Sequence, residues 1–423
     1  MKESGRTEGK MSRIISLSNA WLAFLVAIMV VGAFAYFGFQ LSTGLIVTGM
    51  RNIVPWGLYI ITFIFFIGLS AGGLIIASSS HVFGAERWKP ISRLAAFMAA
   101  VCVAIAAATI VADLGRPDRV LNLFLHPQLN SPFLWDLIVI TFYLVISLAD
   151  VWFMCRADFA RKHSILALGT KDFSEKAVAR DEKIVTVISY VALPTAIMLH
   201  SVTAWIFGLQ IARPWWNTAI LAPVFLASAM VSGLALIIVI ALIARQRGVL
   251  NVDLSVLYEI GKLLAVVLLV DFFLKFTEIL TLLWPNAEAE LAELSLVTTG
   301  PFSPLFLIEW TIGGIVPFAI LAYPKTRKTA WGLAVASVLL IVGVFAYRVE
   351  LILPGFYAPL LSLPPGLALG EFVPGMGTYA LSGTYAPTWV EYAVTAAMIA
   401  LGAFIVTIGT KVVPFSSKHA EHS

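Results

Sequence analysis

Apolar runs of about twenty residues or more recur along the whole chain, and no other feature restricts the fold so strongly. A helix needs roughly 20 such residues to cross the hydrocarbon layer, and it satisfies its own backbone hydrogen bonds while doing so. The runs lack the strict alternation of an outer-membrane barrel strand. Apolar windows at 20–39, 53–80, 94–113, 133–154, 184–208, 215–244, 256–284, 302–323, 330–347 and 389–413 predict an all-α polytopic membrane protein of about ten transmembrane helices. Composition agrees, with 60% hydrophobic and 12% charged residues, against roughly 25% charged in a soluble domain.

Of the 28 Lys and Arg, 22 fall on the side of the N-terminus, in its tails, loops and adjoining span ends, five on the opposite side, and Lys275 deep within a span. The positive-inside rule then puts both termini in the cytoplasm of a bacterial or archaeal inner membrane. Topology accounts for the net charge of +4, so nucleic-acid binding is discarded. The polar N-terminal segment and the run after it lack a clear small-residue cleavage site, which reads as a retained first helix. Cys102 and Cys155 are too few for an iron-sulphur cluster. Of six histidines only His200 lies deep in a span, so a bis-histidine haem has no second ligand there, and no metal site is expected.

Traces of an internal repeat run through the sequence. Arg51 precedes Pro55-Trp56-Gly57 and a later Ser70-Ala71-Gly72-Gly73, while Arg213 precedes Pro214-Trp215-Trp216 and a later Ser232-Gly233. Ser131-Pro132-Phe133-Leu134-Trp135-Asp136 opens the fourth helix and Ser303-Pro304 with Glu309-Trp310 opens the eighth. A four-helix offset preserves orientation, so the pattern predicts two four-helix bundles, helices two to five and six to nine, flanked by helices one and ten. The expected layout is a tail (1–19), the first helix with the first bundle (20–208), the second bundle (209–350), an outer loop rich in Gly, Pro and Tyr (351–388), and the last helix with its tail (389–423).

Ionisable groups within a span are costly and mark pathways or sites. His200, eight residues before the end of the fifth helix, and Asp113, at the end of the third, are the candidate proton-handling residues. Trp56, Tyr59, Arg116 and Asp136 sit toward the same outer surface, so these helices are expected to present polar groups to one cavity there. A quinone needs apolar walls and one or two protonatable partners for its oxygens, and histidine suits that work. An acid nearby hands protons to the outer phase. The bland alternative makes His200 an interhelical bond and Trp56 and Tyr59 belt residues at the membrane interface. On the seventh helix Asp271, Lys275 and Glu278 share a face, and Glu309 on the eighth helix faces them. They form either a proton path or second polar site, or an internal salt bridge neutralising Lys275.

These motifs, with His200-Ser201-Val202-Thr203, Arg348 and Glu350 before Pro354-Gly355, and Pro387-Thr388-Trp389-Val390-Glu391-Tyr392, resemble the polysulphide reductase NrfD/PsrC family of membrane quinone-interacting subunits, in its ten-helix HybB/DsrP-like branch. The resemblance implies a haem-free subunit with its quinone site at the outer end of the first bundle, partnered by a ferredoxin-like iron-sulphur protein and further redox subunits. It carries over Asp113 and His200, and with them Tyr59. The expected function is oxidation or reduction of quinol or quinone (menaquinone or ubiquinone) within a respiratory electron-transfer complex. The rival is a secondary transporter or ion-translocating subunit, favoured by the repeat and the charges on the seventh helix.

Overall fold

The computed structural model describes residues 4–285, 287–358 and 383–415, with side chains from residue 19 onward except at 288 and 289. Ten long helices run through the described residues: α1 (Ser4–Ala33, extended by a π-helical turn Phe34–Gln40), α2 (Leu58–Val82), α3 (Lys89–Asp113), α4 (Pro132–Arg161), α5 (Glu175–Gly208), α6 (Leu221–Gln246), α7 (Leu254–Leu283), α8 (Ser303–Ala322), α9 (Ala330–Ile352) and α10 (Trp389–Val412). Nine of them are long and apolar enough to cross a membrane. The other, α7, spans 30 residues and carries Lys262, Asp271, Lys275 and Glu278. The chain is a multi-pass membrane protein. Large apolar side chains such as Phe34, Phe37, Phe142 and Phe273 cover its outside, as a hydrocarbon solvent requires.

Several helix ends differ from the hydropathy windows for local reasons. The second and sixth helices begin at Leu58 and Leu221 rather than near 53 and 215, because Arg51 to Gly57 and Arg213 to Thr218 are held in turns. The fourth and fifth helices run on into polar sequence, to Arg161 and from Glu175. There the Arg156 Nε donates to Asp181 Oδ2 at 2.5 Å and ties the two helices together. Arg348, one residue beyond the ninth hydropathy window, is fully buried within α9. Its charge ended the hydropathy window, whereas its guanidinium finds a place over the Phe225 ring at 4.5 Å and donates to Ser228 Oγ at 2.7 Å. Most of the expected outer loop, 359–382, lies outside the described residues.

Helices α2 to α5 pack on one another, as do α6 to α9, and α1 pairs with α10 alongside α3. The two sets meet where α2 crosses α6. A Cβ on Gly72 would stand 2.1 Å from the Gly233 carbonyl carbon, so only glycine lets these backbones approach so closely. This crossing joins the two copies of the repeated small-residue motif.

Candidate functional site

At the end of the molecule that carries Trp56, the Tyr59 hydroxyl donates to Gln40 Oε1 at 2.6 Å, and the Gln40 amide donates to the Ala112 carbonyl at 2.5 Å. That carbonyl immediately precedes Asp113, whose Oδ1 is buried without a partner among the described residues. Three helices, α1, α2 and α3, thus converge on one polar cluster. Gln40 lies in the π-helical turn that ends α1, a wide turn of the kind that often marks function. From the other side comes the start of α10. Glu391 accepts from the Gly49 N–H at 2.6 Å and the Thr388 N–H at 2.9 Å, and also accepts a short hydrogen bond from the Tyr385 hydroxyl. Glu391 and Asp113 both lie close enough to Tyr59 to act on it electrostatically.

Trp56 is enclosed by aromatic rings: Phe207 at 5.3 Å, Trp216 at 5.7 Å, Phe356 at 5.9 Å and Phe133 at 6.0 Å between centroids. Asp136 is buried and accepts from Thr203 Oγ1 at 2.6 Å. Arg116 points away from these groups into an exposed pair with Asp118 at 3.0 Å.

His200 stands apart from the Tyr59 cluster. Its Nδ1 meets the Ala196 carbonyl at 2.7 Å and its Nε2 the Ile67 carbonyl at 3.2 Å. Ile67 follows Tyr59 by eight residues on α2, about 12 Å at 1.5 Å per residue. Both partners are acceptors, so the neutral ring donates to one carbonyl and only the imidazolium donates to both. The side chains grouped from sequence therefore divide into a Tyr59–Asp113 cluster and a deeper His200 position.

In the other set of helices Lys275 lies 2.9 Å from Asp271 and 2.7 Å from Glu309, with its ammonium 4.2 Å from the centre of the Tyr347 ring. Glu309 sits in a second π-helical stretch, Ile308–Ile315. The charges read from sequence meet as a buried ion cluster, and Glu350 of α9 adjoins Glu309. Beside them is a cleft, partly open to the exterior, lined by Lys275, Glu278, Glu309, Tyr347 and Glu350.

Gln40, Tyr385 and Tyr347 were not picked out by motif or spacing. Gln40 is the lone amide in the first apolar run, and Glu391 completes a capping box with Thr388, so those two had legible signals. Tyr347 and Tyr385 had none.

Two groups of packed transmembrane helices, each with buried acids toward the same end, define a polytopic membrane protein. The chain belongs to the polysulphide reductase NrfD family, whose profile matches residues 46–359. It is 36% identical over 403 residues to a putative dimethyl sulfoxide reductase membrane subunit of Halobacterium salinarum, covering 94% of this chain and 92% of that protein. It is 26% identical to an Hdr-like menaquinol oxidoreductase integral membrane subunit of Archaeoglobus fulgidus, over 93% of each. A polysulfide reductase chain of Wolinella succinogenes is 24% identical over 72% of this chain and 95% of its own length. The first two are named as membrane subunits of oxidoreductases and the third as a reductase chain.

Proposed function

We propose that the chain is the quinone-reactive membrane subunit of a respiratory oxidoreductase. Its ring-binding site lies at the Trp56 end of the first bundle, on the outer face of a cytoplasmic membrane with both termini inside. The observation that carries the reading is the Tyr59–Gln40 bond fixed beside Asp113, next to an aromatic enclosure around Trp56. Apolar walls and a few placed polar groups are what a quinone ring requires. The names of the relatives support the same substrate class, one being a menaquinol oxidoreductase subunit.

In this reading Tyr59 hydrogen-bonds one ring oxygen and Trp56 walls the ring, while Asp113 with its unpartnered oxygen accepts or returns a proton. His200 serves a deeper proton position, and Asp136 buttresses α5 through Thr203. Oxidation of one quinol releases two protons and two electrons. The electrons leave to a partner, a ferredoxin-like iron-sulphur protein, or arrive from it when the reaction runs in reverse. Asp271, Lys275, Glu278 and Glu309 form a proton path in the second bundle, coupling turnover to proton translocation.

The test is titration of the purified complex with a fluorescent quinol-analogue inhibitor, in wild type and in Tyr59→Phe, Asp113→Asn and His200→Ala variants. Saturable quenching in wild type, weakened by the Tyr59 and Asp113 substitutions, supports the assignment. Unchanged binding and turnover in all three variants sinks it. The π-helical interruption at Glu309 is the observation that favours a rival, ion translocation independent of redox chemistry, since broken helices line transport sites. That rival requires ion flux into proteoliposomes without any redox partner.

A further inference from the structure

We propose that the cavity in the second bundle is a second binding site for a quinone-class ring, the internal-repeat counterpart of the site at Trp56. This rests on the reading of the first bundle for its ligand class and adds a site to it.

Three observations carry the proposal. The first is access: the cleft between the helices is partly open to the exterior, so a ring has a way in where bundles commonly hold small molecules.

The second is polar groups without partners. Tyr347 Oη and Glu350 Oε1 are both buried and hydrogen-bonded to nothing among the described residues, and both residues line the cavity. Leaving such groups unsatisfied costs about 1–3 kcal/mol each. A quinol ring satisfies both, one oxygen accepting a hydrogen bond from the Tyr347 phenol and the other donating its O–H to the Glu350 carboxyl. Lys275 is already engaged by Asp271 and Glu309, so the site offers no free cation to an anionic ligand.

The third is the walls. Trp215, Phe306 and Trp310 line the cavity with flat apolar surface, which suits an aromatic ring. Trp215 is fixed by its indole N–H donating to the Glu350 carbonyl at 3.0 Å. It heads the second bundle as Trp56 heads the first, and Glu309 opens α8 as Asp136 opens α4. The two sites therefore use corresponding elements of the repeat with different side chains.

The decisive experiment counts equivalents of the fluorescent quinol-analogue inhibitor bound per protein molecule in the purified complex, in wild type and in Tyr347→Phe, Glu350→Gln and Tyr59→Phe. Two equivalents in wild type are expected. Tyr347→Phe and Glu350→Gln each weaken one of them about tenfold, the cost of one lost hydrogen bond, and the untouched equivalent shows that the variant is folded. A single equivalent that responds to Tyr59→Phe and ignores Tyr347 and Glu350 overturns the second site and leaves the first. A single equivalent that responds only to Tyr347 and Glu350 upholds the second site and removes the first. Absence of binding in wild type overturns both.

Discussion

The Tyr385 hydroxyl accepts from the Leu58 backbone N–H at 2.7 Å and donates a hydrogen bond to the Glu391 carboxylate. One phenol thereby clasps the start of α2 to the start of α10, two helices separated by more than 300 residues in sequence. The contact is tight: a Cβ on Gly57 would stand 2.4 Å from that hydroxyl oxygen. Burial and the neighbouring carboxylate both push the Tyr385 phenol above its ordinary value, so the hydrogen stays in place at any physiological pH.

The clasp predicts that Tyr385→Phe loses about 1–3 kcal/mol of stability, because the buried Glu391 is left short of a donor. Gly57→Ala should lower the melting temperature as well and weaken inhibitor binding, since Trp56 and Tyr59 flank the displaced residue. Thermal unfolding of the detergent-solubilised protein checks both. A melting temperature equal to wild type in both variants would mean that the clasp is not formed.

Lys275 gives a sharper prediction. Its ammonium balances Asp271 and Glu309 in a buried position. Lys275→Met leaves two buried carboxyls without their cation and should cost roughly 3–5 kcal/mol. Adding Glu309→Gln to that variant should restore part of the loss, because one uncompensated carboxyl is removed. A double variant no more stable than the single one contradicts the geometry.

The short helix Glu288–Thr298 covers the second-bundle cavity through Leu294 and Val297, and its Glu293 titrates in an accessible range. Burial raises this carboxyl from 4.5 to about 7, against the lowering effects of the Trp215 backbone and Arg213. A carboxyl raised in the folded state binds more protons there than in the unfolded state, so stability falls as pH rises. The window runs from about 4.5, where the unfolded group ionises, to about 7, where the folded one does. Hydrogen exchange at Leu294 and Val297, corrected for intrinsic rate, should therefore show protection falling between those values and level above. Glu293→Gln should flatten the profile, and a profile unchanged by that substitution would refute the assignment.

Asp150, midway along α4, is fully buried, and among the described residues neither of its carboxyl oxygens is hydrogen-bonded, nor are the Ser147 hydroxyl one turn away and the Ser189 hydroxyl on α5. A buried carboxyl in this state costs stability. Asp150→Val should raise stability by about 1–3 kcal/mol, read as a higher melting temperature. A lower one would show that the carboxyl is satisfied in the folded protein. Turnover measured on the same preparation tells whether the acid is kept for function.

Much of this molecule follows from local rules. Apolar length gives the number of spans, because a helix in hydrocarbon satisfies its backbone alone. The 3.6-residue period puts Asp271 and Lys275 on one face of α7, and a capping box marks the start of α10 at Thr388 and Glu391. Which helices meet lies beyond such rules. The contact of Gly72 with Gly233 decides that α2 crosses α6, and it depends on two backbones far apart in sequence fitting at one point. Interhelical packing likewise buries Arg348, seats Gln40 and Glu391 beside Tyr59, and parts His200 from Asp113. It brings Tyr347 and Glu350 to the ions of α7. Side-chain period and hydropathy are properties of one helix, whereas a site between helices exists only after steric complementarity has chosen each neighbour.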